Sequence, residues 1–204
     1  MKESIPLKSW DVGQKGPTGS LGSPRHQFSR KMACTVTIYQ QQREVRFWLA
    51  PGILEEIVAV VLCDEKTAAD CVSIHFVSDV SMRRLHQRYF ADPSSTDCMS
   101  FPLDQKPPYA SPRVLGDIFI CPLTALKVAQ KPSSISLSIV FWKEITLYLV
   151  HGMLHLLGYE DSTPTRRRLM RSRERAILKQ LMAQGLTAKG ILRGCLLHTT
   201  STSP

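Results

Sequence analysis

Apolar and polar residues alternate in short runs along the chain and then recur every three or four positions, and the two rhythms change over several times. From Met32 the segment CTVTIYQ alternates as a strand does. Pro51 then opens PGILEEIVAVVLCDEK, whose apolar positions fall at helical spacing with acidic residues in the first turn. CVSIHFVS, β-branched and aromatic, predicts a second strand. DVSMRRLHQRYF after it predicts a helix capped by Asp79, with Met82, Leu85 and Tyr89 turned inward. ADPSSTDCMSFPLD reads as a loop entering a short extended segment, which Pro102 places at a sheet edge or at its own end. KPPYASPR is a proline-rich surface loop. VLGDIFIC predicts the clearest strand, and CPLTALKVAQK a short helix with Pro122 in its first turn.

The stretch SISLSIVFWKEITLYLVHGMLHLLG is apolar enough to tempt a membrane reading. Lys143 and Glu144 in its middle, and His151 and His155 near its end, are each costly in hydrocarbon, so it predicts a buried core helix from about Ser138 to Leu157. A last helix starts near Thr163 and Pro164, runs through RRRLMRSRERAILKQLMAQ and stops at Gly185. Strands alternating with helices predict an α/β (α+β) class, a small mixed sheet covered by helices with the central helix carrying HxxxH. The 204 residues suit one domain, placed at 32–185, with a pattern-poor C-terminal tail over 186–204. Residues 1–31 are rich in Gly, Ser, Pro and Lys/Arg and contain no apolar targeting core, so they read as a disordered basic extension.

Charge changes this picture. The net charge of +9 divides into +4 over residues 1–31, −3 over 32–161 and +8 over 162–204. Basic flanks beside a slightly acidic core suit a polyanion held by one face, a nucleic acid better than an anionic membrane. The six cysteines, Cys34, Cys63, Cys71, Cys98, Cys121 and Cys195, form no CxxC pair. Reduced, mostly buried thiols are expected, with no disulfide-linked partner, no membrane and a cytoplasmic setting.

The chemistry concentrates in His151-Gly-Met-Leu-His155-Leu-Leu-Gly158-Tyr-Glu160-Asp161. Residues four apart on a helix face the same way, so two imidazoles can reach one metal ion. Gly158 lets the chain leave the helix through a left-handed turn and return a carboxylate, Asp161, towards the pair. Two histidines and a carboxylate leave a coordination position open, the pattern of a single catalytic zinc. The alternatives are two satisfied core histidines, or a zincin-type protease. A zincin places a Glu after the first His as general base, and here that position is Gly152.

These residues resemble the YbeY-type endoribonucleases, whose signature reads H-G-x-L-H-L-x-G-[YF]-D-H. His151, Gly152, Leu154, His155, Leu156, Gly158 and Tyr159 stand in register with it. Thr96-Asp97 with Ser100-Phe101-Pro102 resembles the family's TDVLSFP, and Leu115-Gly116-Asp117-Ile118 its LGDI, so that the resemblance covers about residues 35–182. It implies an α/β fold with a metal cleft and single-strand-specific, metal-dependent endoribonuclease activity. The expected work is rRNA maturation, at the small-subunit 3′ end, and ribosome quality control, with ribosomal RNA and the ribosome or its small-subunit proteins as partners. A non-catalytic ribosome-biogenesis RNA-binding factor with a structural metal is the other reading.

The chain departs from the family twice. Asp161 follows Glu160 where the family has Asp-His, so the third ligand is an oxygen, which zinc accepts at a similar distance. Phe90 follows Tyr89 where the family carries an arginine thought to position phosphate, and Arg83, Arg84 or Arg88 would have to replace it in part. Arg166, Arg167, Arg168 and Arg171 crowd the start of the last helix, where the macrodipole disfavours cations, and read either as a solvated face or as an RNA-phosphate landing strip. Asp97 and Asp117 are candidate cleft carboxylates, or else a turn former and a strand-end residue.

Overall fold

Alternation at period two builds the sheet. In the computed structural model, which describes residues 34–103, 113–187 and 190–195, the strands are β1 (Thr35–Gln41), β3 (Cys71–Val77), β4 (Cys98–Pro102) and β5 (Val114–Ile120), in the order β1-β3-β5-β4. β1 and β5 run parallel to β3, and β4 runs antiparallel at the edge with Pro102 as its last residue, where a missing N–H costs least. The expected extension over 1–31, and the proline-rich loop before Arg113, lie outside the described residues.

Val72, Ile74 and Phe76 on β3, with Ile118 and Ile120 on β5, are buried under the helices. These are α1 (Ile53–Asp64), α3 (Pro122–Ala129), α4 (Leu137–Leu156) and α5 (Pro164–Ala183). The alternate residues point the other way, where α2 (Asp79–Phe90) packs Met82 against Val77, Met99 and Cys121. Elsewhere that face carries a row of rings: Tyr39 stacks on His75 and His75 on Phe119, each at 4.5 Å between centroids.

α4 is long and apolar enough to cross a membrane by length and composition, yet 56% of that window is buried inside the protein. Phe141, Ile145, Leu149 and Met153 form its core stripe, which makes it a helix of the interior.

Several details differ from the sequence expectation. Ser78, not Asp79, caps α2, its Oγ accepting from the Ser81 N–H at 3.1 Å, and Tyr89 is half exposed. β2 (Val45–Leu49) is too short and too close to β1 to register as a separate alternation. It pairs antiparallel with β6 (Gly190–Cys195), a strand inside the stretch expected to be a pattern-poor tail. β6 escapes notice because Gly190 and Gly194 interrupt it, and its partner lies some 145 residues earlier in the chain. Cys34, Cys63, Cys71, Cys98 and Cys121 are free, as expected, but of these five only Cys98 and Cys121 are buried, while Cys63 is exposed.

Candidate metal centre

α4 delivers both histidines because its spacing places them one turn apart on the flank facing α5. His155 then sits in the last turn, where the chain must reverse. Leu157 ends the helix and Gly158 takes φ 93°, a left-handed conformation costly to any side chain with a Cβ. The Gly158 N–H donates to the His155 carbonyl and the Tyr159 N–H to that of Leu154, both at 3.0 Å, which closes a Schellman turn and aims the chain back. That reversal brings Asp161 to the pair: donor atoms of His151, His155 and Asp161 all lie within 4.8 Å of one another.

Hydrogen bonds on the outer sides of the rings decide what the inner sides offer. His155 Nδ1 donates to the Tyr159 carbonyl at 3.0 Å, an acceptor only, so Nδ1 carries that ring's proton. His151 Nδ1 donates to Glu174 Oε1 at 2.5 Å. Both Nε2 atoms, left with lone pairs, face each other at 3.1 Å. Two nitrogens bound tetrahedrally to one zinc at about 2.0–2.1 Å stand about 3.3 Å apart, so the spacing fits the ion. Without a metal the two lone pairs repel unless one ring takes a proton. Burial works against that charge on His151, but the Glu174 hydrogen bond and charge, with Asp97 and Asp161, outweigh it and raise its pKa. Burial, followed by the charge on His151, lowers that of His155.

Glu174, which sequence reasoning missed, is the third-turn residue of α5 that holds His151 in place, and only 12% of its side chain is exposed. Its signal was weak but present: it is the single acidic residue of 162–204. A second support meets it. Tyr159 Oη donates to Glu65 Oε2 at 2.8 Å, and Arg173 donates through Nε and Nη2 to Glu65 Oε1 at 2.9 and 2.7 Å. Since Arg173 adjoins Glu174, a ring of contacts closes: His151, Glu174, Arg173, Glu65, Tyr159, His155.

Asp97 faces this site, its Oδ1 held by the Thr96 hydroxyl at 3.0 Å and the Cys98 N–H at 2.8 Å, and its charge favours the protonated form of His151. Asp117 does not join it. Its neighbour Ile118 packs under α4, so Asp117 points to the opposite face of the sheet and bonds His75 Nε2 at 3.1 Å. The candidate cleft carboxylate is therefore a partner of the aromatic row. Gly152 explains the absent zincin base: a Cβ there would meet Ile118 Cγ2 at 2.7 Å and Ser100 Oγ at 3.0 Å, so α4 crosses the sheet where no glutamate fits. Of the α2 arginines, Arg83 is engaged by Asp79 at 2.6 Å and Arg88 lies 5.7 Å over the Tyr89 ring, while Phe90 is 64% exposed. Of the α5 arginines, Arg166 pairs with Glu160, whereas Arg167, Arg168 and Arg171 line an open groove with Arg175.

The model of the family described as Endoribonuclease YbeY matches residues 35–182. The chain belongs to the YbeY family. A relative from Protochlamydia amoebophila named Endoribonuclease YbeY is 40% identical over 132 residues, 64% of this chain and 81% of its own length. One of the same name from Chlamydia abortus is 34% identical over 155 residues, 74% of this chain and 94% of its own. A Thermotoga maritima protein solved in solution overlays with a TM-score of 0.48 at 20% identity, over 74% of this chain and 91% of that one. Among YbeY proteins, whose named relatives are endoribonucleases, this chain is a nuclease-family hydrolase.

Proposed function

We propose that this chain is a metal-dependent endoribonuclease that cuts single-stranded ribosomal RNA in the cytoplasm. Its work would be maturation of the small-subunit rRNA 3′ end and ribosome quality control, with the ribosome or its small-subunit proteins as partners. The observation that carries the metal dependence is the pair of Nε2 atoms facing each other at 3.1 Å, each ring fixed by a hydrogen bond at its far nitrogen. His151, His155 and Asp161 would hold one zinc ion. When bound, it supplies a Lewis acid for a phosphate oxygen or a water of lowered pKa.

The protein's own groups do the rest. Glu174 and the Tyr159 carbonyl hold the two imidazoles in the ligating tautomer. Asp97 adds negative charge beside them, its Oδ1 accepting from the Thr96 hydroxyl and the Cys98 N–H. Phe90 favours a second reading, a ribosome-biogenesis factor that holds RNA without cutting it. At 64% exposure it stands where the family's phosphate-positioning arginine would be and donates no hydrogen bond. The test is cleavage of a single-stranded RNA and its duplex by the purified protein, as isolated, after chelation and after zinc is restored. Cutting of the single strand that disappears on chelation and returns with zinc is expected. Tight RNA binding with no cutting under any metal would replace the enzyme with the binding factor.

A further inference from the structure

Arginine fills six positions of α5, and the structure divides them into two groups. Arg166 pairs with Glu160, and Arg173 with Asp64 and Glu65. Among the described residues no carboxylate pairs with Arg167, Arg168, Arg171 or Arg175, which are all exposed and line one groove with Pro164. At 100° per residue these four lie between about 20° and 120° around the helix from Glu174, the residue that holds His151. The stripe therefore starts beside the metal centre. Arg167 touches it directly, its Nε donating to the Asp161 carbonyl at 3.2 Å.

Fold stability does not account for the stripe. Cations in the first turns oppose the macrodipole, and Arg167, Arg171 and Arg175 are like charges at four-residue spacing, which repel. That spacing does suit a ligand: each step rises about 6 Å along the axis, close to the phosphate repeat of an extended nucleotide strand. A membrane surface fits less well, because an interfacial helix needs an apolar flank beside its basic one. Leu169, the exposed apolar residue of this half of α5, projects about 220° around from Glu174, some 100° beyond the edge of the stripe.

We propose that Arg167, Arg168, Arg171 and Arg175 form a ladder for successive backbone phosphates of a single-stranded RNA and lead that strand to the His151–His155–Asp161 centre. The proposal rests on the ribonuclease reading above. Each planar guanidinium offers a forked pair of donors to a phosphate, and Arg166, spent on Glu160, takes no part.

The test measures binding of a fluorescein-labelled oligouridylate by anisotropy across a salt series, using the full chain carrying His155→Ala so that binding is read without cutting. Replacing all four arginines by Ala is expected to flatten the slope of log K against log salt by about 2.8, four contacts at about 0.7 each, without lowering the thermal midpoint. The four Lys replacements should restore most of the slope, and Arg166→Ala should leave it unchanged. A change smaller than about 0.7, the share of one contact, overturns the ladder. So does loss of phosphatidylserine-vesicle binding in the four-Ala protein with RNA binding intact. RNA held with the full slope by an unmutated protein that never cuts would count against the ribonuclease and leave the ladder standing; cutting by a protein whose slope ignores the four arginines would do the reverse.

Discussion

Removing Glu174 should weaken metal binding although Glu174 is no ligand. Its carboxylate accepts from His151 Nδ1 at 2.5 Å, with 12% of its own side chain and 25% of that of His151 exposed, so water screens the contact poorly. Glu174→Gln keeps an oxygen that can accept the proton but loses the charge that makes the far nitrogen more basic. Glu174→Ala loses both, and leaves the Nδ1 proton of a half-buried ring without its acceptor. Outer partners of ligating histidines are worth about 10- to 100-fold in metal affinity. We assign the lower end to Gln and the upper to Ala, about 1.4 and 2.7 kcal/mol. Competition for zinc against a chromophoric chelator at pH 8, where protons compete little, measures both. Thermal midpoints of the metal-free proteins check that the fold is intact. A zinc affinity for Glu174→Ala within threefold of the unmutated chain, with His155→Ala failing to bind, would refute the reasoning.

Gly152→Ala should destabilise the protein by about 1–3 kcal/mol in urea unfolding, since the added methyl would meet Ile118 at 2.7 Å, and a loss under 0.5 kcal/mol would show that α4 can lift off the sheet. Phe90→Arg should raise the rate of RNA cleavage about tenfold, the worth of one charge-assisted hydrogen bond to phosphate; an unchanged rate would separate this position from the substrate. Asp79 gives the pH dependence. Burial opposes its ionisation, but Arg83, Ser95 and Lys127 together lower its pKa. A depressed folded pKa means that its stabilisation is complete above the unfolded value of about 3.9 and is lost as pH falls through the folded one. The gap in urea midpoint between the unmutated chain and Asp79→Asn should therefore be constant at neutral pH and close in acid; a gap that widens in acid would reverse the sign. Truncation after Thr187 removes β6 and uncovers Trp142, against which Gly190 packs, and should cost about 1.5–3 kcal/mol in the same assay.

Elements that announce themselves locally were legible. The strands β1, β3 and β5 alternate over seven residues each, α4 is a long apolar run, and α5 has its cap, its proline and a terminal Gly185 at φ 65°. The grouping of His151, His155 and Asp161 was legible for the same reason, because eleven consecutive residues hold both histidines, the turn glycine and the carboxylate. What stayed hidden depends on partners far away in the chain. Glu174 looks like one more charge on a basic helix until α5 lies against α4. Asp117 looks like a site carboxylate until its pleat turns it to the other face, and β6 has no strand signal apart from β2. Arg166 and Arg175 part on the same ground: once the chain is folded Arg166 pairs with Glu160, whereas among the described residues no carboxylate pairs with Arg175.

The ring through His151, Glu174, Arg173, Glu65, Tyr159 and His155 has a consequence for how disorder spreads. Were the supports an open chain, either imidazole could drift while the other stayed fixed. In a closed linkage the drift of one must be taken up by every other member, and those members belong to the C-terminal cap of α1, to α4, to the turn after it and to α5. The gap between the two nitrogens is thus a property of three packed helices and not of a single helical turn. Heat or denaturant that loosens α1 should release a zinc ion loaded at this site in the same transition, which makes metal retention a gauge of helical packing at a distance from the reaction itself.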